Sequence, residues 1–171
     1  KANAADLRAA ESQGMADAPL DRLRLTAERI MGMAEGLRQV AALPDPVGEL
    51  LDGGTRPNGL DIQRVRVPLG VVAVIYENRP NVTSDAAGLC LKSGNSALLR
   101  GSSTALQSNL AIAAVLREAM AKAGVPADCV QVLEDVSHEA AIELMQLTEY
   151  VDCLVPRGGP ELIESIRRNA R

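Results

Sequence analysis

Val67-Pro68-Leu69-Gly70-Val71-Val72-Ala73-Val74-Ile75-Tyr76-Glu77-Asn78-Arg79-Pro80-Asn81-Val82-Thr83 is the stretch whose reading decides the fold. From Val71 to Ile75 it is continuously apolar and mostly β-branched, the pattern of a strand covered on both faces of a parallel sheet. Pro68 and Gly70 punctuate its start, and the charged Glu77-Asn78-Arg79 with Pro80 ends it. Thr83-Ser84-Asp85 then offers helix-starting residues ahead of the apolar Ala86-Ala87-Gly88-Leu89-Cys90-Leu91. A buried strand thus empties through a polar turn onto a helix. In open α/β sheets, ligands bind outside such carboxyl ends.

Downstream the alternation repeats. A helix is expected from about 82 to Gly94, where Gly94-Asn95 forms the helix-ending turn. Ser96-Ala97-Leu98-Leu99 reads as a second strand. Ser103 or Thr104 can cap the next helix, whose inner face is Leu106, Leu110, Ala113, Leu116 and Met120, with Gly124 closing it. Val130-Gln131-Val132-Leu133 is a third strand. Ser137 caps a short helix that turns Ala140, Leu144 and Leu147 inward, and residues 151–155 form a fourth strand. Pro160 and Glu161 suit the first turn of a last helix, and Arg167-Arg168 its negative end. The order β-α-β-α-β-α-β-α, without repeats or low-complexity linkers, implies the α/β class: a doubly wound, mainly parallel, Rossmann-like sheet in one domain.

Upstream, residues 4–41 read as helical, with Leu20, Leu23, Ile30, Met33 and Leu37 on one face and Pro44 and Pro46 as stops. Residues 53–59 read as a turn-forming loop in which Asn58-Gly59 can make a tight hairpin turn. Arg64-Val65-Arg66-Val67 alternates like an edge or half-exposed strand. The expected organisation is therefore a helical arm and loop over 1–60 and a β/α sheet region over 61–171.

The 171 residues suffice for a sizeable core, and without Phe or Trp that core must be aliphatic. Tyr76 and Tyr150 leave almost nothing on which single-stranded bases could stack. A net charge of −4 gives no support to a nucleic-acid or anionic-membrane partner, and the apolar runs fall far short of a span. Cys90, Cys129 and Cys153 are odd in number, lie in or beside apolar segments and lack metal-ligand spacing. They read as reduced core thiols of a cytoplasmic protein with no metal site. His138, alone at a helix start, reads as a surface residue.

Two further strand ends carry potential chemistry. Arg100-Gly101-Ser102-Ser103 combines a fixed cation, a glycine and two hydroxyls at a helix start. Arg157-Gly158-Gly159 precedes the last helix as a second anion-accepting turn. Neither G-x-G-x-x-G nor G-x-x-x-x-G-K-[ST] is present. The residues by themselves therefore define an anion-accepting rim.

Tyr76-Glu77-Asn78-Arg79-Pro80-Asn81-Val82-Thr83, Asp85 through Asn95, Leu98-Leu99-Arg100-Gly101-Ser102-Ser103 and Leu154-Val155-Pro156-Arg157-Gly158-Gly159 together resemble the gamma-glutamyl phosphate reductase family of the aldehyde dehydrogenase superfamily. The resemblance covers about two thirds of the chain in separated blocks. It implies a dinucleotide site built without the usual glycine fingerprint. Arg100 stands where the superfamily has a ribose-contacting lysine, and Ser103 where it has the carboxylate that holds the ribose hydroxyls. Loss of that carboxylate and gain of arginine favour a 2′-phosphate, hence NADP(H). Gly158-Gly159 resembles the turn whose helix N-terminus faces the pyrophosphate.

The resemblance also implies an asparagine after the first strand as an oxyanion donor. Asn81 and Asn78 are both candidates, and Asn81 can equally be a helix cap. Arg79 either meets an acidic substrate or pairs with Glu77. For the complete enzyme the resemblance implies reduction of the small molecule L-glutamate 5-phosphate to glutamate 5-semialdehyde in proline biosynthesis. The nucleophilic cysteine lies in a later catalytic domain, beyond the cofactor-domain portion seen here. Fragment inactivity and compatibility with a homo-oligomer follow. A non-catalytic nucleotide-binding or assembly module of the same fold is the alternative, and a different acyl-phosphate or aldehyde enzyme a third reading.

Overall fold

A computed structural model describes residues 1–170. Its centre is β3 (Val71–Tyr76), flanked by β4 (Ser96–Arg100), β5 (Val130–Val132) and β6 (Cys153–Arg157) in a fully parallel sheet of order β5-β4-β3-β6. The chain steps outward from β3 to β5, then returns across the sheet to β6. The winding direction therefore reverses between β3 and β6, where such sheets open a crevice. Helices α4 (Asn81–Lys92) and α5 (Leu106–Lys122) cover one face, α6 (His138–Gln146) and α7 (Pro160–Asn169) the other. Alternate β3 residues feed two cores: Val72, Val74 and Tyr76 meet Val82, Ala87 and Met120, while Ala73 and Ile75 meet Ala141, Leu144 and Ile166. That is why the strand reads as an unbroken apolar run.

Side chains pin the lower, N-terminal end of the sheet. Asn95 Oδ1 accepts from the amides of Leu69 and Gly70 at 2.6 and 2.9 Å, and Asp152 Oδ2 from that of Val71 at 2.8 Å. Gly70 has φ +124°, and a Cβ there would lie 2.1 Å from the Asp152 carboxylate, so only glycine fits on both counts. This clamp also holds Asp152 outside β6, which starts two residues later than the apolar pattern suggests. Leu147, expected to point inward, ends α6 and is exposed.

The first third departs most from the sequence expectation. The single helical stretch 4–41 is three helices: α1 (Ala2–Ser12), α2 (Asp17–Leu23) and α3 (Ala27–Ala42). Gly14 takes a left-handed turn after the first, and Thr26 Oγ1 accepts from the Arg29 amide at 3.2 Å to start the third. Apolar periodicity persists across both breaks, which hides them. Gly53 and Gly54 lie within β1 (Leu50–Thr55) rather than in a loop. This strand pairs antiparallel with β2 (Asp61–Val65), so a boundary at 60/61 divides one ribbon. Asn58-Gly59 does sit in the hairpin turn: the Gly59 amide donates to Arg56 C=O at 2.8 Å with φ +86°. Of the expected strand 64–67, Arg64 and Val65 belong to β2 in this separate ribbon, and Arg66 extends the pairing through backbone bonds with Gly48 and Glu49.

The arm is fastened by polar side chains. The buried Asp6 carboxylate accepts from the amides of Gln107 and Ser108 at 3.3 and 2.8 Å and from Ser108 Oγ at 2.6 Å. Those amides open α5, so α5 is capped from α1 rather than by Ser103 or Thr104. Ser102 instead caps a short 3₁₀ turn, Ser103–Ala105, in front of α5. Among the described residues no helix is long and apolar enough to cross a membrane.

Candidate functional site

Three consecutive side chains leave the end of β3 in three directions. Glu77 reaches across the crevice to β6, where its Oε1 accepts from the Gly159 amide at 2.9 Å. A Cβ on Gly158 would lie 2.6 Å from the same carboxyl group, so that glycine makes room for Glu77. Gly159 is the N-cap of α7, whose positive end favours an anionic oxygen. Asn78 turns towards the arm: its Nδ2 donates to Pro19 C=O at 2.9 Å and lies 3.6 Å from Met15 Sδ, while its Oδ1 accepts from Thr104 Oγ1 at 3.0 Å. Arg79 is exposed and faces a different concavity.

Asn81 lies in the first turn of α4, where Pro80 is the N-cap without a side-chain bond. Its Nδ2 donates to Asp85 at 3.0 Å, so its side chain does not cap the helix. Arg79 makes no ion pair with Glu77 among the described residues, because Glu77 is drawn to Gly159.

At the end of β4, Arg100 Nη2 donates to the carbonyls of Val136 and Ser137 at 2.8 and 3.1 Å, tying β4 to the start of α6. Its Nε is buried without an acceptor among the described residues. Burial lowers the guanidinium pKa, and the nearby Asp135 carboxylate opposes that shift. Gly101 is buried, and the space above its Cα is filled: a Cβ would lie 2.2 Å from Asn109 Nδ2 and 3.0 Å from the Tyr76 ring. The glycine is thus fixed by packing inside the protein. Ser102 Oγ is held by Thr104, at 2.7 Å from its hydroxyl, and Ser103 is exposed. Arg157, exposed, lies beside Tyr76 in the β3–β6 register. The rim residues after β4 and β6 therefore flank β3 on the same edge of the sheet.

Beneath the rim runs a buried polar chain. Tyr76 Oη lies 2.7 Å from Thr83 Oγ1, which donates to Asn109 Oδ1 at 3.0 Å. Burial pushes the Tyr76 phenol up to about 12, against the smaller lowering effect of the Thr83 bond. Sequence reading took Thr83 as a helix-starting residue and Thr104 as a possible cap and missed their bonds to Asn109 and Asn78. It missed Asn109 and Asp6 altogether, because these partners lie 26 to 102 residues away and leave no local pattern.

The three thiols sit at the opposite end of the sheet. Cys153 opens β6 and Cys129 immediately precedes β5, while Cys90 is buried near the end of α4. Burial, and secondarily Cys153, raises the Cys90 pKa. A buried thiol of that kind is a poor nucleophile.

A cavity of about 440 Å³ opens on the arm side of the β3–α4 loop. Arg22, Arg24, Arg29 and Arg79 line it, with Asp21, Asn81 and Asp85.

A family profile described as the aldehyde dehydrogenase family matches residues 19–171. A gamma-glutamyl phosphate reductase of Geobacillus sp. (strain WCH70) is 55% identical over 168 residues, covering 98% of this chain and 41% of that protein. The chain thus spans about two fifths of the length of this relative. A crystal structure of gamma-glutamyl phosphate reductase from Thermotoga maritima superposes with a TM-score of 0.96 at 44% identity, over 99% of this chain and 41% of that one. The corresponding crystal structure from Saccharomyces cerevisiae gives 0.90 at 34% identity, over 99% and 43%.

Proposed function

The chain belongs to the aldehyde dehydrogenase family, and from that premise we propose that it forms the dinucleotide-binding part of an NADPH-dependent reductase acting on L-glutamate 5-phosphate. The reductase-named relatives support the substrate class. The observation that carries the role of this chain is the rim itself, where two anion-accepting strand ends flank β3 at the reversal of winding.

The residues fit a dinucleotide. A carboxylate oxygen already stands on the Gly159 amide, so the α7 N-terminus accepts an anionic oxygen at hydrogen-bond distance. Arg100 carries a donor with no partner among the described residues. Gly158 and Gly159 would hold the pyrophosphate, with Arg157 beside them. Arg100, Gly101, Ser102 and Ser103 would border the adenosine ribose, Arg100 attracting a 2′-phosphate where Ser103 offers no opposing carboxylate. Bound there, the cofactor supplies the hydride.

The chain's own residues then orient the substrate. We place the oxyanion donor at Asn78 rather than Asn81. Asn78 is held by Pro19 and Thr104, and its second amide hydrogen has only a thioether beside it, an acceptor weak enough to yield to an oxyanion. Asn81 faces the arginine cavity. With all three thiols at the lower end of the sheet, the nucleophile is read as a cysteine that none of Cys90, Cys129 or Cys153 supplies. The reaction then belongs to proline biosynthesis in the cytoplasm.

Calorimetric titration of the chain with NADPH and NADH tests this. Saturable binding, tighter for NADPH and weakened by Arg100→Ala, is expected, without steady turnover of substrate. Absence of binding by either dinucleotide would remove the rim as a cofactor site. Binding unaffected by Arg100→Ala would remove the 2′-phosphate role.

A further inference from the structure

The cavity beside the β3–α4 loop gathers positive charge in an otherwise acidic chain. Net charge is −4 overall, yet four arginines line this cavity against two aspartates. The pairing inside it is uneven. Arg29 takes both oxygens of Asp21 at 3.0 and 2.9 Å and also donates to Arg24 C=O at 2.9 Å, so this pair is internally satisfied. Arg24 has one distant partner, Glu11 at 3.9 Å. Arg22 and Arg79 have neither an ion pair nor a side-chain hydrogen bond among the described residues. Asp85 accepts from Asn81 at 3.0 Å and from Ser84 Oγ at 3.5 Å and is matched by no arginine among the described residues. The cavity therefore presents unpaired guanidinium groups on one side and one carboxylate without a cation on the other.

We propose that this cavity binds the amino-acid head group of an acidic substrate, its carboxylate on Arg79 and Arg22 and its ammonium on Asp85. The inference rests on the reductase reading above and names the wall of the site that recognises the unreacting end of the substrate. A guanidinium fork matches a carboxylate bidentately, which is the arrangement two unpaired arginines offer. An ammonium requires an acceptor, and the two carboxylate oxygens of Asp85 have lone pairs beyond those used by Asn81 and Ser84. A phosphate, negative on every side, would gain nothing from Asp85 and would be repelled by it. The first turn of α4, which carries Asn81, adds the positive end of a twelve-residue helix to the same space. Arg79 stands one residue from Asn78. The same β3–α4 loop thus carries both the cavity arginine and the proposed oxyanion donor.

The test is calorimetric titration of the chain with L-glutamate, glutarate and inorganic phosphate, without dinucleotide. L-glutamate is expected to saturate. Arg79→Ala and Arg22→Ala should each weaken it about tenfold or more, the scale of a lost charge-assisted hydrogen bond. Arg79→Lys should recover part of the affinity, and Asp85→Asn should weaken L-glutamate while sparing glutarate, which has no ammonium. Far-UV circular dichroism of each variant checks that the exposed substitutions leave the fold intact. No saturable glutamate binding, or equal binding by Arg79→Ala, overturns the proposal. So does phosphate binding more tightly than glutamate on the same arginines, which marks a simple anion site. NADPH titration of the same samples separates the two readings. Cofactor binding without glutamate binding sinks the head-group site alone, and glutamate binding without cofactor binding sinks the dinucleotide rim alone.

Discussion

In β3, five of six residues are buried, whereas in the β1–β2 ribbon every residue is exposed, although both are hydrogen-bonded strands, the ribbon with an irregularity at Leu51. β3 is paired on both sides and each ribbon strand on one, but the contrast in burial is set by side chains. β3 shares its two faces with four helices, and each residue removed from water adds apolar burial. The ribbon has its turn and two exposed ion pairs, Arg66–Glu49 at 2.7 Å and Arg64–Asp52 at 3.7 Å, which contribute little in water. An isolated two-stranded hairpin is marginal in any case. Strand stability here comes from what covers the strand, and the rim chemistry sits on the covered one.

The largest test of that contrast is alkaline. Tyr76 ends β3, and burial raises its pKa from the ordinary 10.0 to about 12. Below pH 10 both folded and unfolded chains hold the proton, and its contribution is constant. Between about 10 and 12 the unfolded chain releases the proton while the folded chain keeps it, so stability falls as pH rises, by about 2–3 kcal/mol in total. Urea unfolding at stepped pH should show that loss, and Tyr76→Phe should flatten it. A slope unchanged by Tyr76→Phe would mean the ring is not sealed under the rim.

Next comes a pair of glycines. Gly101→Ala drives a methyl group into Asn109 and Tyr76 and should cost about 1–3 kcal/mol as overpacking, part of it recovered in Gly101→Ala with Asn109→Ala. Gly54→Ala in the ribbon meets nothing within 4 Å and should stay within about 0.5 kcal/mol. Chemical denaturation of the three variants decides it. A Gly101→Ala protein as stable as the parent would return Gly101 to the role of a ligand-approach glycine.

The same contrast explains what could be read from the sequence. β3 to α7 were legible because burial on both faces imposes apolar runs, and because Gly94, Gly124, Ser137 and Pro160 mark helix ends by local chemistry. The ribbon was half legible: Asn58-Gly59 announced its turn, but Gly53-Gly54 masked a strand that no core patterns. The arm's breaks were invisible because its apolar spacing runs through them. At the site, the glycines and arginines were visible by type but their work was not. Arg100 is tied to carbonyls 36 and 37 residues away and Gly101 is filled by Asn109, contacts set by tertiary packing alone.

The smallest expected effect concerns Glu77, the charged residue that closes the β3 end of the crevice. Its carboxylate accepts from the Gly159 amide, the position proposed above for a phosphate oxygen of the dinucleotide. On that proposal a dinucleotide displaces it or binds beside a like charge. Glu77→Gln keeps an oxygen able to accept from Gly159 but removes the charge. NADPH and NADH should then each bind about two- to fivefold more tightly at low salt, the scale of one exposed charge interaction. The gain should shrink as salt is raised, because such a charge is screened over a Debye length. Glu49→Gln, which removes another exposed carboxylate, from the ribbon, should change neither affinity. Equal effects of the two substitutions would show that net charge alone was sensed. An unchanged affinity in Glu77→Gln would show that the phosphates pass the α7 N-terminus by, leaving the β4 end as the anchor of the cofactor.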